Sequence, residues 1–232
     1  MSSELQITRH PPLVELMLNR PAVRNALSHT LVLELTAELN KAAKDAALRA
    51  VIVTGAPPAF CAGLDLNEVA AAGQNVDNAP LLTLFETIEN LAKPVIAAVN
   101  GPAVAGGAAL ASVCDVAISA AGAWIAYPGI KRGLVAPIVM SYLCRWVGER
   151  RARHLVLTGR AVSASEAVAM GLIDEVVADA EVLERARQIA GDFAKFSAAA
   201  LRETKRVFGT LRRVAGDPAA VRHLNSTVSR ES

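Results

Sequence analysis

The sequence lacks both a paired set of cysteines and an N-terminal segment that resembles a secretory signal. Its three cysteines are Cys61, Cys114 and Cys144, an odd number whose spacing is not that of metal ligands. The first residues show no charged stretch followed by an apolar run, as a signal peptide would. These absences favour a reducing, cytoplasmic compartment, and they leave a metal site unsupported.

The sequence also lacks an excess of charge and any long apolar run. Twenty-four Lys and Arg residues against 22 Asp and Glu residues give a formal net charge of +2. No basic run is dense enough to suggest a nucleic-acid surface. Charged residues, Asn, Gly or Pro interrupt the apolar stretches well before the roughly 20 residues that a membrane span needs. We therefore expect a soluble protein that binds neither nucleic acid nor a membrane.

What the sequence does contain is enough apolar residues for one sizeable core. Apolar residues make up 53% of the 232 positions and charged residues 20%. Short apolar runs with strand character recur along the chain, and the later ones do not alternate with polar residues. Such runs are typical of strands buried on both faces. The predicted strands are residues 13–18, 50–54, 95–99, 113–119 and 173–177.

Helical patterns separate these runs. Ser28 is a plausible N-cap for a helix on which apolar residues recur every four positions. A second apolar helical face, residues 81–91, must end before Pro94, because the residue ahead of a proline is biased out of the helical region. Ser163 and Glu166 have the spacing of a capping box, and Gly171 is placed to end that short helix.

Strands that alternate with helices predict an α/β core, which we assign to residues 1–178. The remaining residues, 179–232, have a helical pattern almost throughout. Their apolar positions need a surface to pack on, either on the same chain or on a neighbouring subunit. No internal repeat or low-complexity linker separates the two regions.

Two glycine-containing segments could present backbone N–H groups to a ligand. KPVIAAVNGPAVAGG (residues 93–107) places Gly106 and Gly107 after a predicted buried strand, and FCAGLD (residues 60–65) contains Gly63. Glycine allows backbone N–H groups to approach a ligand closely, and a helix that begins at Gly106 or Gly107 would add positive potential. Two such segments could hold one oxygen atom. From spacing alone, tight turns and close helix packing are the commoner explanation.

Five segments closely resemble the crotonase (enoyl-CoA hydratase/isomerase) superfamily, and they follow one another in the family's order over nearly the whole chain. They are AVRNALS (residues 22–28), VIVTGAPPAFCAGLDL (51–66), KPVIAAVNGPAVAGGAAL (93–110), CD (114–115) and LTGRAVSASEAVAMGLIDEVV (157–177). The resemblance implies a spiral of ββα units with a C-terminal helical trimerisation region, assembled as trimers or dimers of trimers. It also implies that the ligand is an acyl thioester of coenzyme A (CoA), so that CoA arrives with the substrate and no separate cofactor is bound.

The resemblance further assigns roles to individual residues. The thioester oxygen is expected between the backbone N–H groups of Leu64 and Gly106. Arg24, Ala26 and Ala62 are expected to meet the CoA moiety, and Lys205 is a candidate for a phosphate contact. Arg24 and Lys205 could equally be ordinary surface cations.

The family's two hydratase glutamates have no counterpart in this chain. One belongs at Ala109, after the double glycine, and the other at Gly129, after the proline of YPGI. Adding water across a double bond needs groups that activate the water and handle the proton at the alpha carbon. Tyr127 lies beside the second missing glutamate and could donate a hydrogen bond to substrate, although a strand tyrosine is more often a packing residue.

Three functions remain open at this point. The first is an acyl-CoA enzyme of the lyase or isomerase class that stabilises an enolate, as in a decarboxylation, without the usual carboxylates. The second is an acyl-CoA-binding protein of the same fold without turnover. The third, a nucleotide-binding α/β protein, is weak, because residues 101–107 lack the Lys-Ser/Thr of a phosphate loop.

Overall fold

The computed structural model describes residues 3–73 and 77–213, and residues 214–232 of the predicted C-terminal region lie outside the described residues. The strands are β1 (Leu5–His10), β2 (Leu13–Leu18), β3 (Ala50–Gly55), β4 (Val95–Val99), β5 (Ala103–Val104), β6 (Val116–Ala120), β7 (Trp124–Ala126), β8 (Ala161–Ser163) and β9 (Glu175–Val177). The helices are α1 (His29–Lys44), α2 (Leu66–Ala72), α3 (Ala79–Asn90), α4 (Gly106–Val113), α5 (Pro137–Thr158), α6 (Ala164–Met170), α7 (Val182–Ala194) and α8 (Ala198–Arg213), with short 3₁₀ helices at Pro21–Val23, Pro128–Arg132 and Asp179–Glu181. None of the described helices is long and apolar enough to cross a membrane.

Two sheets form the framework. The larger has the order β1-β2-β3-β4-β6-β9 and is parallel except for the β1–β2 pair. The smaller has the order β5-β7-β8, with β5 and β7 parallel. The chain passes from β4 to β5 and then into α4, and again from β6 to β7 and then into α5. Each pass is a ββα unit, and the predicted α/β class is confirmed.

Several predicted boundaries are confirmed by the local hydrogen bonds that cause them. The Ser28 side chain accepts a hydrogen bond from Leu31 N–H and caps α1. Ser163 accepts from Glu166 N–H at the start of α6, and Gly171 ends that helix with a φ of 80°. Helix α3 ends at Asn90, before Pro94. These helix boundaries could be predicted because the residues that cause them lie close in sequence to the helix ends.

Other predicted boundaries are wrong by a few residues. The run 113–119 was predicted as one strand, but Val113 ends α4 and the strand begins at Val116. Likewise β9 begins at Glu175 rather than at residue 173. In the first case the buried end of α4 is as apolar as a strand, so composition does not separate them; in the second, Ile173 is buried and apolar but lies in the connection before the strand.

The first C-terminal helix packs on its own chain. Helix α7 buries Val182, Ala186 and Ala190 and lies against β3 and β4 of the large sheet. Helix α8 contacts α3. The division of the chain at residue 178 and the trimerisation role of residues 179–232 stay predictions.

Candidate functional site

The first half of the candidate site is a short parallel pairing between residues 24–27 and 62–65. Ala62 N–H donates to Arg24 O at 3.0 Å, Leu27 N–H to Gly63 O at 2.7 Å, and Asp65 N–H to Leu27 O at 3.0 Å. Because successive residues of a paired strand direct their N–H groups to opposite sides, the Leu64 N–H faces away from residues 24–27.

Asn25 holds this loop in place and was not identified from the sequence as a site residue. Its side chain is fully buried, and its Nδ2 donates to Ala56 O at 2.8 Å, Ala59 O at 2.7 Å and Phe60 O at 3.2 Å. Its Oδ1 accepts a hydrogen bond from Arg20 N–H at 3.0 Å. The backbone at Asn25 has a φ of 56°, in the left-handed region that Asn tolerates better than most residues. One amide therefore fixes the entrance to the FCAGLD segment.

The second half of the site is the N-terminus of α4. Ala105 precedes it with φ 48° and ψ −110°, a conformation that costs a residue other than glycine on the order of 1–3 kcal/mol. Two hydrogen bonds hold Ala105 there: its N–H donates to Ala126 O at 2.8 Å, and its carbonyl accepts from Ala109 N–H at 3.0 Å. The strained turn orients the peptide group that carries the Gly106 N–H.

The two halves meet at Leu64 and Gly106. A Cβ atom built on Gly106 would lie 3.5 Å from Gly63 Cα and 3.6 Å from Leu64 N. Within residues 3–73 and 77–213, neither the Leu64 N–H nor the Gly106 N–H donates a hydrogen bond. Buried backbone donors are nearly always paired, so two adjacent free donors are available to a ligand atom.

Close packing behind these donors fixes their separation. A Cβ atom on Gly107 would lie 2.3 Å from Cys61 O and 2.7 Å from Cys61 Cβ, so only glycine fits there. Burial raises the pKa of the Cys61 thiol to about 12, against the opposing effect of a hydrogen bond from Gly63 N–H. The thiol is therefore protonated at neutral pH and has no nucleophilic role.

The two positions that the resemblance gives to glutamates, Ala109 and Gly129, carry no carboxylate. Ala109 is buried on α4, one turn after Gly106. Gly129 lies in the 3₁₀ helix that follows β7, and a Cβ atom there would be 2.9 Å from Leu134 O. The Leu134 N–H also donates to Gly129 O at 2.9 Å. The segment after Gly129 thus packs against the place where a longer side chain would begin.

Tyr127 lies between these positions and is buried, with 4% of its surface exposed. Its hydroxyl has no hydrogen-bond partner among the described residues. Burial raises the pKa of the phenol above its ordinary value and outweighs the lowering effect of the interaction with the Ser112 hydroxyl. The hydroxyl therefore keeps its proton at neutral pH and can act as a hydrogen-bond donor.

The candidate CoA contacts divide into two groups. Arg24, Ala26 and Ala62 lie on the paired segments that lead to Leu64, and Arg24 is exposed. Lys205 is elsewhere: its ammonium group donates to Ile88 O at 3.2 Å, to Lys93 O at 3.0 Å and to Asp115 Oδ2 at 2.6 Å.

The Lys205 contacts lie in the last turn of α3 and just before β4 and β6, whereas Leu64 and Gly106 lie beyond the ends of β3 and β4. The structure does not bring Lys205 to this site within one chain. All three of its donors are used to hold the backbone and the Asp115 carboxylate.

A cavity of about 240 Å³ opens beside Leu64. Its apolar wall includes Leu27, Val32 and Leu81, and Glu68 and Asp77 lie at its rim. The Glu68 carboxylate accepts a hydrogen bond from His29 N–H at 2.8 Å, at the start of α1, where an anion is stabilised by the helix dipole. Among the described residues, no group of three or more His, Cys, Asp or Glu side chains is placed to hold a metal ion.

Comparison with known proteins agrees with this arrangement. The model of the enoyl-CoA hydratase/isomerase family matches residues 9–229. The chain is 37% identical over 218 residues to the 2,3-dehydroadipyl-CoA hydratase of Escherichia coli, covering 92% of this chain and 84% of that one. It is similar to a crystal structure of an enoyl-CoA hydratase from Bacillus anthracis, with a TM-score of 0.90, 32% identity and coverage of 98% and 90%.

It is also similar to a crystal structure of a monofunctional enoyl-CoA isomerase from Mycobacterium smegmatis, with a TM-score of 0.82, 31% identity and coverage of 95% and 99% of the two chains. The sequence match and the shared fold both extend over nearly the whole chain. The chain belongs to the enoyl-CoA hydratase/isomerase (crotonase) family.

Proposed function

We propose that this protein binds an acyl thioester of coenzyme A and holds its thioester oxygen between the N–H groups of Leu64 and Gly106. The observation that carries this proposal is the pair of backbone N–H groups that donate no hydrogen bond within the described residues, which come close together where Gly106 packs against Leu64, a residue that lines a cavity. Donors fixed in this way stabilise an oxygen as it gains negative charge, so the site would favour an enolate. Removing one such donor typically costs about 3 to 4 kcal/mol of transition-state stabilisation.

The reaction that follows is not the standard hydration, because the site lacks its acid and base. The related proteins named as hydratases and an isomerase act on enoyl-CoA thioesters. Here the methyl group of Ala109 and the bare Gly129 occupy the positions that the resemblance gives to two glutamates. An enolate reaction that needs no protein carboxylate, such as loss of carbon dioxide from the acyl group, fits the site best. The protein would then be a lyase or isomerase with an atypical active site.

A non-catalytic acyl-CoA-binding protein is the second candidate, and one observation favours it. A Cβ atom at Gly129 would lie only 2.9 Å from the Leu134 carbonyl oxygen, so the backbone crowds the position of the second acid. Such a pocket keeps the backbone donors but has no room for a side chain that could act as the second acid or base. Turnover of a thioester separates the two candidates.

The remaining assignments follow from the family. Arg24, Ala26 and Ala62 would meet the CoA moiety that arrives with the substrate, and their position beside Leu64 supports this. The proposed assembly is a homotrimer or a dimer of trimers, and the proposed location is the cytoplasm.

Calorimetric titration with crotonyl-CoA and with free CoA tests the binding proposal. We expect crotonyl-CoA to bind more tightly than free CoA, because only the thioester presents an oxygen to the two donors. We also expect its hydration, followed by loss of absorbance of the conjugated thioester, to be far below a typical turnover of about 10 per second. Equal affinity for the two ligands would refute the oxygen site, and rapid hydration would refute the atypical chemistry.

A further inference from the structure

Another cavity, of about 220 Å³, lies near the beginnings of β3 and β4, away from the donors beyond the ends of these strands. Every charged side chain among the described residues that line it is a cation, and the rest of the lining is alanine and leucine. The four cations are Lys44 at the end of α1, Arg49 just before β3, Lys93 just before β4 and Arg202 near the start of α8. Side chains of one sign around a recess concentrate ions of the opposite sign there.

The chain does not neutralise these four cations. Within residues 3–73 and 77–213, none of them forms an ion pair with a carboxylate. The carboxylates next to them in sequence are engaged elsewhere: Asp45 accepts a hydrogen bond from Ala47 N–H at 2.9 Å, and Glu203 pairs with Arg206. The positive charge around the cavity is therefore left without a carboxylate partner.

Two of the cations are held in place by backbone carbonyls, which fix a position without cancelling a charge. The Lys93 ammonium donates to Ala42 O and Asp45 O at the end of α1, and Arg49 donates to Ala46 O at 3.0 Å. Burial lowers the pKa of Lys93, and the charge of Arg49 lowers it as well, against the raising effect of Asp45. The two cations are thus close enough to repel each other, and an anion between them would relieve that repulsion.

The start of α8 adds to the positive potential of the cavity. Ala198, the first residue of this 16-residue helix, lines the cavity, and the first turn contains no acidic residue. The N–H groups of a first helical turn have no partner within the helix, and the helix dipole is positive there. The end of α1, where the dipole is negative, is covered by the Lys93 ammonium. Side chains and helix dipole therefore favour the same sign of ligand.

We propose that this cavity binds a small anion that carries one or two phosphate groups, held by Lys44, Arg49, Lys93 and Arg202. Arginine matches the geometry of phosphate oxygens with two parallel hydrogen bonds, and lysine supplies a compact charge. The volume of about 220 Å³ is roughly that of seven water molecules in the liquid, which suits a diphosphate and not a macromolecule. The site goes beyond the proposed function and does not depend on it, because the thioester oxygen is expected at the other ends of β3 and β4.

Calorimetric titration of the wild-type protein with inorganic phosphate, pyrophosphate and ADP tests the site. Pyrophosphate should bind once per chain and more tightly than phosphate, because it presents more charge to the four cations. ADP distinguishes the source of the phosphate group. Binding of ADP as tight as that of pyrophosphate would support the site as one for the phosphate end of a larger molecule, and rejection of ADP would support it as one for a free inorganic ion.

A pair of double variants separates the site from general electrostatics. Lys44→Gln with Arg202→Gln removes two exposed cations of the cavity, and affinity for pyrophosphate should fall at least ten-fold. The matched control is Arg150→Gln with Arg151→Gln on α5, which removes the same charge from two exposed residues that line none of the cavities described here. Its affinity for pyrophosphate should stay within a factor of about two of the wild type.

Three results would overturn the inference. Absence of binding of both phosphate and pyrophosphate to the wild type would show that the cations are only solvated. Equal losses in the two double variants would show a diffuse effect of net charge. Displacement of bound pyrophosphate by crotonyl-CoA would place the anion at the thioester site instead, whereas independent binding of the two ligands supports two sites. The first and third results need only the wild-type protein, so the inference stays testable if a variant folds poorly.

Discussion

The substitution Gly106→Ala tests the oxyanion site most directly, because the structure predicts that it changes the site and spares the fold. The φ of Gly106 lies outside the left-handed region, so alanine can adopt its backbone conformation. The added methyl carbon would lie 3.5 Å from Gly63 Cα, 3.6 Å from Leu64 N and 3.7 Å from Leu27 Cδ1, which are ordinary van der Waals contacts. It would nevertheless lie close to the Leu64 N–H, in the space where we propose that the thioester oxygen binds.

The expected magnitudes differ sharply between stability and function. Replacing glycine with alanine in a helix changes the free energy of unfolding by about 1 kcal/mol or less, in the stabilising direction. An oxygen must approach each donor to about 2.7–3.1 Å, and the methyl group blocks that approach. We expect affinity for crotonyl-CoA to fall at least ten-fold, and any turnover to fall by about two to three orders of magnitude. Calorimetry, urea unfolding and a turnover assay measure these three quantities.

The matched control is Gly191→Ala in α7, where an added Cβ atom meets nothing within 4 Å. It should show a similar small gain in stability and unchanged affinity. If Gly106→Ala bound crotonyl-CoA within a factor of about two of the wild type, a difference below about 0.5 kcal/mol, the assignment of Gly106 as a donor would be refuted.

Substitutions at three further positions test the supports of the site. Asn25→Ala removes three buried hydrogen bonds and one that is partly buried, so the free energy of unfolding measured in urea should fall by about 3 kcal/mol or more; a loss below about 1 kcal/mol would contradict this role. Burial raises the pKa of Asp65, but the hydrogen bond and charge of Arg20, together with hydrogen bonds from the backbone N–H groups of Asn67 and Glu68, outweigh it and hold that pKa below its ordinary value of 3.8. Wild type should therefore be more stable than Asp65→Asn at pH 6, and the difference should disappear as the pH falls below about 3.8, since protonation abolishes the stabilised form; a difference independent of pH would contradict it. At Gly129 the Cβ atom itself would lie 2.9 Å from Leu134 O, so Gly129→Ala and Gly129→Glu should lower the melting temperature by similar amounts, and a well-tolerated alanine would refute this explanation.

The large sheet could be predicted from the sequence because its central strands are buried on both faces. Strands β3 and β4 consist almost entirely of apolar residues, and such a run predicts a buried strand without information about the strands beside it. Strand β1 was missed because it lies at the edge of the sheet and most of its residues are exposed. Strands β5, β7 and β8 have two or three residues each, which is too few to produce a periodicity.

The site could be predicted only as far as its glycines and the family resemblance allowed. The strain at Ala105 was not predictable, because an alanine carries no sequence signal for a positive φ. Asn25 did carry a signal, since asparagine tolerates the left-handed region, but its three carbonyl partners come from a segment about 31 to 35 residues away. The unpaired Tyr127 hydroxyl depends on the path of α4 and required the structure.

The supports of the two proposed donors do not depend on the two positions where the resemblance places glutamates. Leu64 is positioned by backbone pairing with Leu27, and Gly106 by the hydrogen bonds of Ala105 and by the contact of Gly107 with Cys61. None of these contacts involves the side chain at Ala109 or Gly129. General acid–base groups typically contribute about 10²- to 10⁴-fold to a rate, whereas the donors act on the charge of the enolate itself. A chain that keeps the donors can therefore retain thioester binding and enolate stabilisation. The reactions that remain open to it are those in which the substrate loses a group of its own, such as carbon dioxide, and no carboxylate of the protein is needed.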